Sequence, residues 1–196
     1  MSSRRSEFLS GVRAQLPILL GTTPFGMIYG IAAVEAGLSP AVALGMSAIV
    51  FAGSAQFIAV QLFAGGAPGL VIVLTTFIVN LRHMLYSASV APYVSHLPLR
   101  WRYLLAFLLT DEAYAVTITR YRQAAPAQAA RSDGHWFFLG AGLTLWVSWQ
   151  ASTAAGVLLG SQVPASWSLD FTLALTFIAL LVPALTDRPA ILAALA

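Results

Sequence analysis

Six long apolar stretches, parted by short polar or Gly/Pro-rich breaks, constrain this chain more than any motif in it: residues 15–34, 40–63, 69–93, 101–119, 135–160 and 169–186. A hydrocarbon core about 30 Å thick takes roughly 20 apolar residues per helical span. In lipid every backbone polar group must be satisfied internally, which for segments of this length means α-helix. Composition agrees, with 59% of the 196 residues hydrophobic, 9% charged and a mean hydropathy of +0.81, more apolar surface than a soluble core uses. The expectation is an all-α, polytopic transmembrane helix bundle over residues 1–196, a single domain with no soluble appendage. A seventh apolar segment starts after Asp187-Arg188-Pro189 and stops at Ala196, and reads as a truncated seventh helix.

Charge sets the orientation. With six spans and the N-terminus in the cytoplasm, Arg4, Arg5, Arg13, Arg120, Arg122, Arg131 and Arg188 fall on the inner side, Arg100 and Arg102 on the outer side and Arg82 within a span. The positive-inside rule favours that placement, with the turn at 95–100 outside. No small-residue cleavage site follows the first apolar run, so it reads as a retained helix and not a signal peptide. The arginines form no basic stripe, which argues against nucleic acid. Cysteine is absent, excluding disulfides and thiolate metal sites.

A faint repeat runs through the chain. The stretch from Arg13 to Phe25 lies over Arg102 to Tyr114, Gln56 over Gln150, and Thr76-Phe77-Ile78 over Thr176-Phe177-Ile178. Two three-helix halves, residues 13–93 and 102–187, follow from this register. Three spans is an odd number, so the second half enters the membrane inverted, as in many secondary transporters. The competing reading is the background similarity of any two leucine-rich helices.

Four polar features inside the apolar stretches need a reason. Gly21-Thr22-Thr23-Pro24-Phe25-Gly26 breaks the first span, either as a proline kink or as two half-helices whose second N-terminus, near Thr23 and Phe25, suits a carboxylate. Phe51-Ala52-Gly53-Ser54-Ala55-Gln56-Phe57 combines small packing residues with Gln56, which needs a partner or a wet cavity. In Asn80-Leu81-Arg82-His83-Met84-Leu85-Tyr86-Ser87, helical spacing puts Asn80, His83 and Ser87 on one face and Arg82, Tyr86 and Ser89 on another. Arg82 is either an ion-pair member or a substrate anion contact, and His83 either packs or relays protons. Thr110-Asp111-Glu112-Ala113-Tyr114 supplies adjacent carboxylates pointing about 100° apart, either solvated at a helix end or divided between Arg82 and a cavity. Arg82 is expected within salt-bridge reach of one carboxylate, with the other facing a cavity lined by Thr22, Thr23, Gln56 and Asn80. No residue set is assigned to catalysis, a metal or a cofactor.

The last three of these motifs, with Leu169-Asp170-Phe171, make the chain similar over nearly its whole length to the AzlC-type branched-chain amino acid permeases, the azaleucine-resistance exporters. The resemblance implies a bacterial inner-membrane exporter of valine, leucine, isoleucine or similar amino acids, working with a small AzlD-type membrane subunit; a homo-oligomer is the alternative assembly. The chain departs from the family at its C-terminus, where members continue through further apolar sequence. With no phosphate-binding loop, secondary transport coupled to protons is expected, not an ATP-driven process. Two other readings stand beside it: an intramembrane serine protease built on Gly53-Ser54 and His83, which leaves Arg82, Asp111 and Glu112 unexplained, and a non-transporting assembly or sensor subunit.

Overall fold

A computed structural model describes residues 4–123 and 133–160. Among them are eight helical segments: α1 Arg4–Glu35, α2 Pro40–Val50, α3 Gly53–Ala64, α4 Gly69–Asn80, α5 Arg82–Val94, α6 Leu99–Phe107, α7 Asp111–Gln123 and α8 Gly134–Gly160. The described residues are α-helical with no strand, as expected of an all-α membrane bundle. Two helices are long and apolar enough to cross a membrane, α1 and the near-continuous α4–α5 of 26 residues. The expected span at 169–186 and the partial seventh helix lie outside the described residues.

Helix α1 decides between the two readings of the first span. It runs unbroken through Thr22, Thr23 and Pro24, so of the proline kink and the two half-helices it is the second that is not formed. Proline inside a membrane helix is tolerated when neighbouring groups take up the freed carbonyl.

The break comes one segment later. Helix α2 opens on Ser39, whose Oγ accepts from Val42 N at 3.4 Å, with Pro40 in the first turn, where its missing N–H is no loss. It stops at Phe51, which takes the left-handed conformation (φ 43°, ψ 46°), rare for a bulky residue and a cost of roughly 1–3 kcal/mol. Ala52 is extended and α3 begins at Gly53.

By contact the described residues group into two compact units, one from residues 4–19, 77–123 and 133–148, the other from 20–76 and 149–160. In the second unit, Phe25 stacks on Phe57, Tyr29 meets Phe57 edge-on, and Val60 joins the cluster of Ile28, Ala32 and Ala33. Positions along α3 therefore rise with those along α1, and the two helices are parallel. Helix α2, between them in sequence, runs back; the Tyr29 hydroxyl donates to Ala43 O at 3.0 Å. Helices α2 and α3 are thus two arms of a hairpin, and residues 40–63 are not one crossing. Each arm is only 11 or 12 residues long, about 17 Å at 1.5 Å per residue.

The first unit holds a second such hairpin. Arg82 pairs with Asp111, Tyr86 stacks on Tyr114 and Tyr93 on Tyr121, so α7 runs parallel to α5 and α6 runs back between them. Residues 101–119 likewise do not cross as one helix. The turn before α6 is consequently at the same end of this unit as the start of α1: Trp101 meets His135 and Trp136 at ring distances of 4.8 and 5.0 Å, Arg4 reaches Asp133 at 3.6 Å, and Arg120 bonds Glu7 at 3.3 Å. The expectation that residues 95–100 and the N-terminus lie on opposite sides is overturned.

The internal correspondence changes with it. A shift of 58 residues, without gaps, carries Pro40 onto Pro98, the Phe51-Ala52 break onto Leu109-Thr110, Gly53 onto Asp111 and Thr23 onto Leu81, where α4 gives way to α5. The repeating element is a long helix followed by a half-length hairpin.

Candidate substrate and coupling site

In the first unit the charged residues sit at helix starts. Thr110 begins α7, its Oγ1 accepting from Ala113 N at 3.3 Å, and Asp111 and Glu112 occupy the first turn, where the helix dipole favours negative charge. Arg82 begins α5, and its Nη1 lies 2.9 Å from Asp111 Oδ2, with the two side chains about one-third exposed (33% and 38%). Asp111 Oδ1 and Asn80 Oδ1 are buried oxygens without a hydrogen-bond partner. Below the ion pair, the Tyr86 and Tyr114 rings stack at 4.6 Å, and the Tyr114 hydroxyl donates to Ser89 Oγ at 3.0 Å.

The two polar faces of this stretch serve different surroundings. Arg82, Tyr86 and Ser89 face α7. Asn80, His83 and Ser87, with Phe77, Leu81 and Met84, line a pocket of about 380 Å³. His83 Nδ1 donates to Asn80 O at 3.0 Å and its ring meets Tyr86 edge-on at 5.9 Å.

The second unit holds Thr22, Thr23, Phe25 and Gln56, and Asn80, Arg82, His83, Asp111 and Glu112 belong to the first. Gln56 is fully buried. Its Oε1 accepts from Trp149 Nε1 at 3.2 Å, and its Nε2 has no partner. Phe25 packs between Phe57 at 4.6 Å and Trp149 at 5.8 Å. Trp149 was absent from the sequence candidates, as were Tyr86, Ser89 and Tyr114 as a bonded group. So were Gln15 and Thr117, both fully buried, with Gln15 Oε1 and Nε2 and Thr117 Oγ1 unpartnered. An amide in an apolar run was the one available signal for Gln15. Among the described residues no group of three His, Cys, Asp or Glu could hold a metal.

Long apolar helices, half-length hairpins and an ion pair at helix starts inside apolar segments define an α-helical membrane protein with a polar site built on broken helices. The chain belongs to the AzlC family: the family model described as AzlC protein matches residues 17–163. It is 30% identical over 190 residues to an uncharacterized membrane protein of Archaeoglobus fulgidus, covering 95% of this chain and 80% of that one. It is 30% identical to the inner membrane protein YgaZ of Escherichia coli, over 80% of this chain and 62% of that protein. It is 28% identical to the branched-chain amino acid transport protein AzlC of Bacillus subtilis, over 92% and 70%. No solved structure matches.

Proposed function

We propose that this chain is the larger subunit of a secondary transporter that exports branched-chain and other hydrophobic amino acids across a bacterial inner membrane, coupled to protons. The observation that carries the reading is the Arg82–Asp111 pair with acceptors to spare. The guanidinium engages Asp111 Oδ2, while Asp111 Oδ1 stays unpartnered and Glu112 adds a second carboxylate one residue on. Such a set suits a substrate ammonium, and Glu112 is the group that carries the proton. The resemblance to the Bacillus subtilis transport protein supports the amino-acid class.

The N-terminus is cytoplasmic in this reading. Arg4, Arg100, Arg102, Arg120 and Arg122 all lie near the end of the first unit where α1 starts, which supports a cytoplasmic face for that end. The two helix-plus-hairpin modules, one ending at Ala64 and the other at Gln123, are then inverted in the membrane. No residue of α4 is buried, a surface suited to a small AzlD-type subunit or, failing that, a second copy of this chain. Single cysteines test the topology, since the chain has none: an impermeant thiol reagent labels Gly66→Cys and not His96→Cys in intact cells.

Export is tested by efflux of labelled valine, leucine and isoleucine from preloaded cells carrying the intact gene pair or the deletion. Asp111→Asn and Glu112→Gln are expected to assemble and to lose export or its pH response. Export at wild-type rates with an unchanged pH response in both variants removes the carboxylates from the mechanism. Equal efflux with and without the gene pair removes the transport reading itself.

A further inference from the structure

The carboxylate site leaves two buried polar side chains of the first unit unexplained. Gln15 and Thr117 have no exposed surface, and Gln15 Oε1, Gln15 Nε2 and Thr117 Oγ1 find no hydrogen-bond partner among the described residues. Burying an amide or a hydroxyl unpaired is costly, and ordered water is what ordinarily satisfies such atoms. Packing does not account for the pair, since leucine and valine would fill the same volume without polar atoms to satisfy. Their place in the fold gives them a use. Glu7 of α1 bonds Arg120 of α7 at 3.3 Å, and further along Ala14 and Ile18 share a pocket with Ala115, Val116 and Thr119, so the two helices run antiparallel. Gln15 is eight positions inward from Glu7, and Glu112 eight positions inward from Arg120. At about 1.5 Å per residue each lies about 12 Å from the ion pair, with Thr117 between. Over the same stretch the gap between α1 and α7 holds a pocket of about 490 Å³, ample room for water. Its innermost α7 residues, Ala115 and Val116, stand three and four positions from Glu112 on the same helix face.

We propose that Gln15 and Thr117 hold a water-filled path between the Glu7–Arg120 end of the unit and Glu112, along which the protons coupled to export travel. The inference rests on the reading of Glu112 as the proton carrier. The two side chains contribute differently. A hydroxyl both donates and accepts, so Thr117 takes a proton from one water as it releases its own to the next and is left uncharged. The amide of Gln15 supplies one acceptor and two donors that orient the waters without itself titrating. A proton entering at the Glu7–Arg120 end comes to rest on a Glu112 carboxylate oxygen, and the reverse passage returns it. Among the described residues the charged or titratable neighbours of Glu112 are Asp111 on its own helix and Arg82 and Tyr86 on α5, while α1 brings the neutral Gln15 to that depth.

The test separates movement of substrate from movement of protons in vesicles reconstituted with the products of the intact gene pair. Exchange of labelled for unlabelled leucine at equal pH needs no net proton movement, whereas leucine-dependent proton flux, read with a pH-sensitive dye, is that movement. Gln15→Leu and Thr117→Val remove unpaired polar atoms at nearly constant volume. Both are expected to fold and to exchange leucine at the wild-type rate, while the proton flux falls about tenfold or more. Thr117→Ser, which keeps the hydroxyl, should keep both activities. Undiminished proton flux in Gln15→Leu and Thr117→Val overturns the path and leaves the transport reading standing. Loss of exchange and flux together in these variants also overturns it, since the two residues would then serve the structure or the substrate. A wild type that exchanges leucine without moving protons removes the coupling and the path with it, and one that does neither removes the transport reading as well.

Discussion

The two hairpins have the same overall length and the same relation to the helix before them, and both break near the middle, the first on left-handed Phe51 and the second at Leu108 in the right-handed region, yet they are fastened by different forces. The α6–α7 hairpin is tied to α5 by an ion pair at its tip, a tyrosine stack and a tyrosine–serine hydrogen bond. The α2–α3 hairpin is tied to α1 and α8 by packing and neutral hydrogen bonds: Phe25, Tyr29, Phe57 and Trp149 are in ring contact, and bonds join Tyr29 to Ala43 O, Ser47 to Thr153, Gln150 to Ser47 O and Trp149 to Gln56. Where Asp111 stands in one module, Gly53 stands in the other. A shared backbone plan therefore does not require shared chemistry. It requires that each half-helix tip find some partner for its exposed end, and charge or close packing will serve.

The packing-held side should break hardest. Gly30 of α1 and Gly156 of α8 let the two backbones touch: a β-carbon on Gly30 would run into Thr153 O, and one on Gly156 into Met27 O. Main chain cannot swing aside as a side chain can, so Gly30→Leu or Gly156→Leu should cost about 3 kcal/mol or more. The expected outcome is loss of the folded monodisperse peak in detergent. A variant that elutes and melts as the wild type does would show that the α1–α8 contact is looser than the structure has it.

On the charge-held side, Arg82→Ala strands Asp111. Losing one partner of a fully buried pair costs about 3–5 kcal/mol, and with these side chains one-third exposed solvent screening brings the expected loss below that range, to about 2–3 kcal/mol. Asn80→Ala, which removes an oxygen that already lacks a partner, should cost well under 1 kcal/mol. The ranking is read by unfolding in graded denaturing detergent, and equal losses would mean that the pair contributes nothing beyond side-chain size.

A smaller effect is expected at the indole. Trp149→Phe leaves Gln56 Oε1 unpaired in an apolar cluster, a cost of roughly 1–3 kcal/mol. Removing the amide as well, in Gln56→Leu with Trp149→Phe, should restore part of that loss, and an additive double variant would rule out the bond as the source. Smallest is Tyr114→Phe, which deletes one hydroxyl bond to Ser89 and should cost about 0.5–1.5 kcal/mol while leaving the ring stack in place. Were it to match Arg82→Ala, the tyrosine and not the ion pair would be what fastens α7 to α5.

Much of the site was legible in the residues. A guanidinium and two carboxylates in apolar segments are costly enough that pairing could be expected from sequence, and Arg82 does pair with Asp111. Helical spacing alone separated the face of Arg82, Tyr86 and Ser89 from that of Asn80, His83 and Ser87, and the two faces meet different surroundings. Trp149 was not legible, because its role depends on an approach by Gln56 from 93 positions away. The helix break was misplaced for a related reason. Pro24 is the strong local breaker, yet α1 continues through it, while Phe51, which no propensity marks, adopts the left-handed turn.

By itself the sequence determined the solvent, the secondary structure and the charges that must be neutralised, because hydrophobic length, backbone satisfaction in lipid and the cost of a buried charge are local properties of the chain. It left undetermined whether an apolar stretch of about 24 residues crosses once or turns back, since the same length serves one span or two half-spans. Only the tertiary contacts decided that: α3 lies parallel to α1 and α7 parallel to α5, and a chain that turns back once within such a stretch returns to the side it came from. The direction of a helix is carried by its neighbours, and no residue in the helix records it.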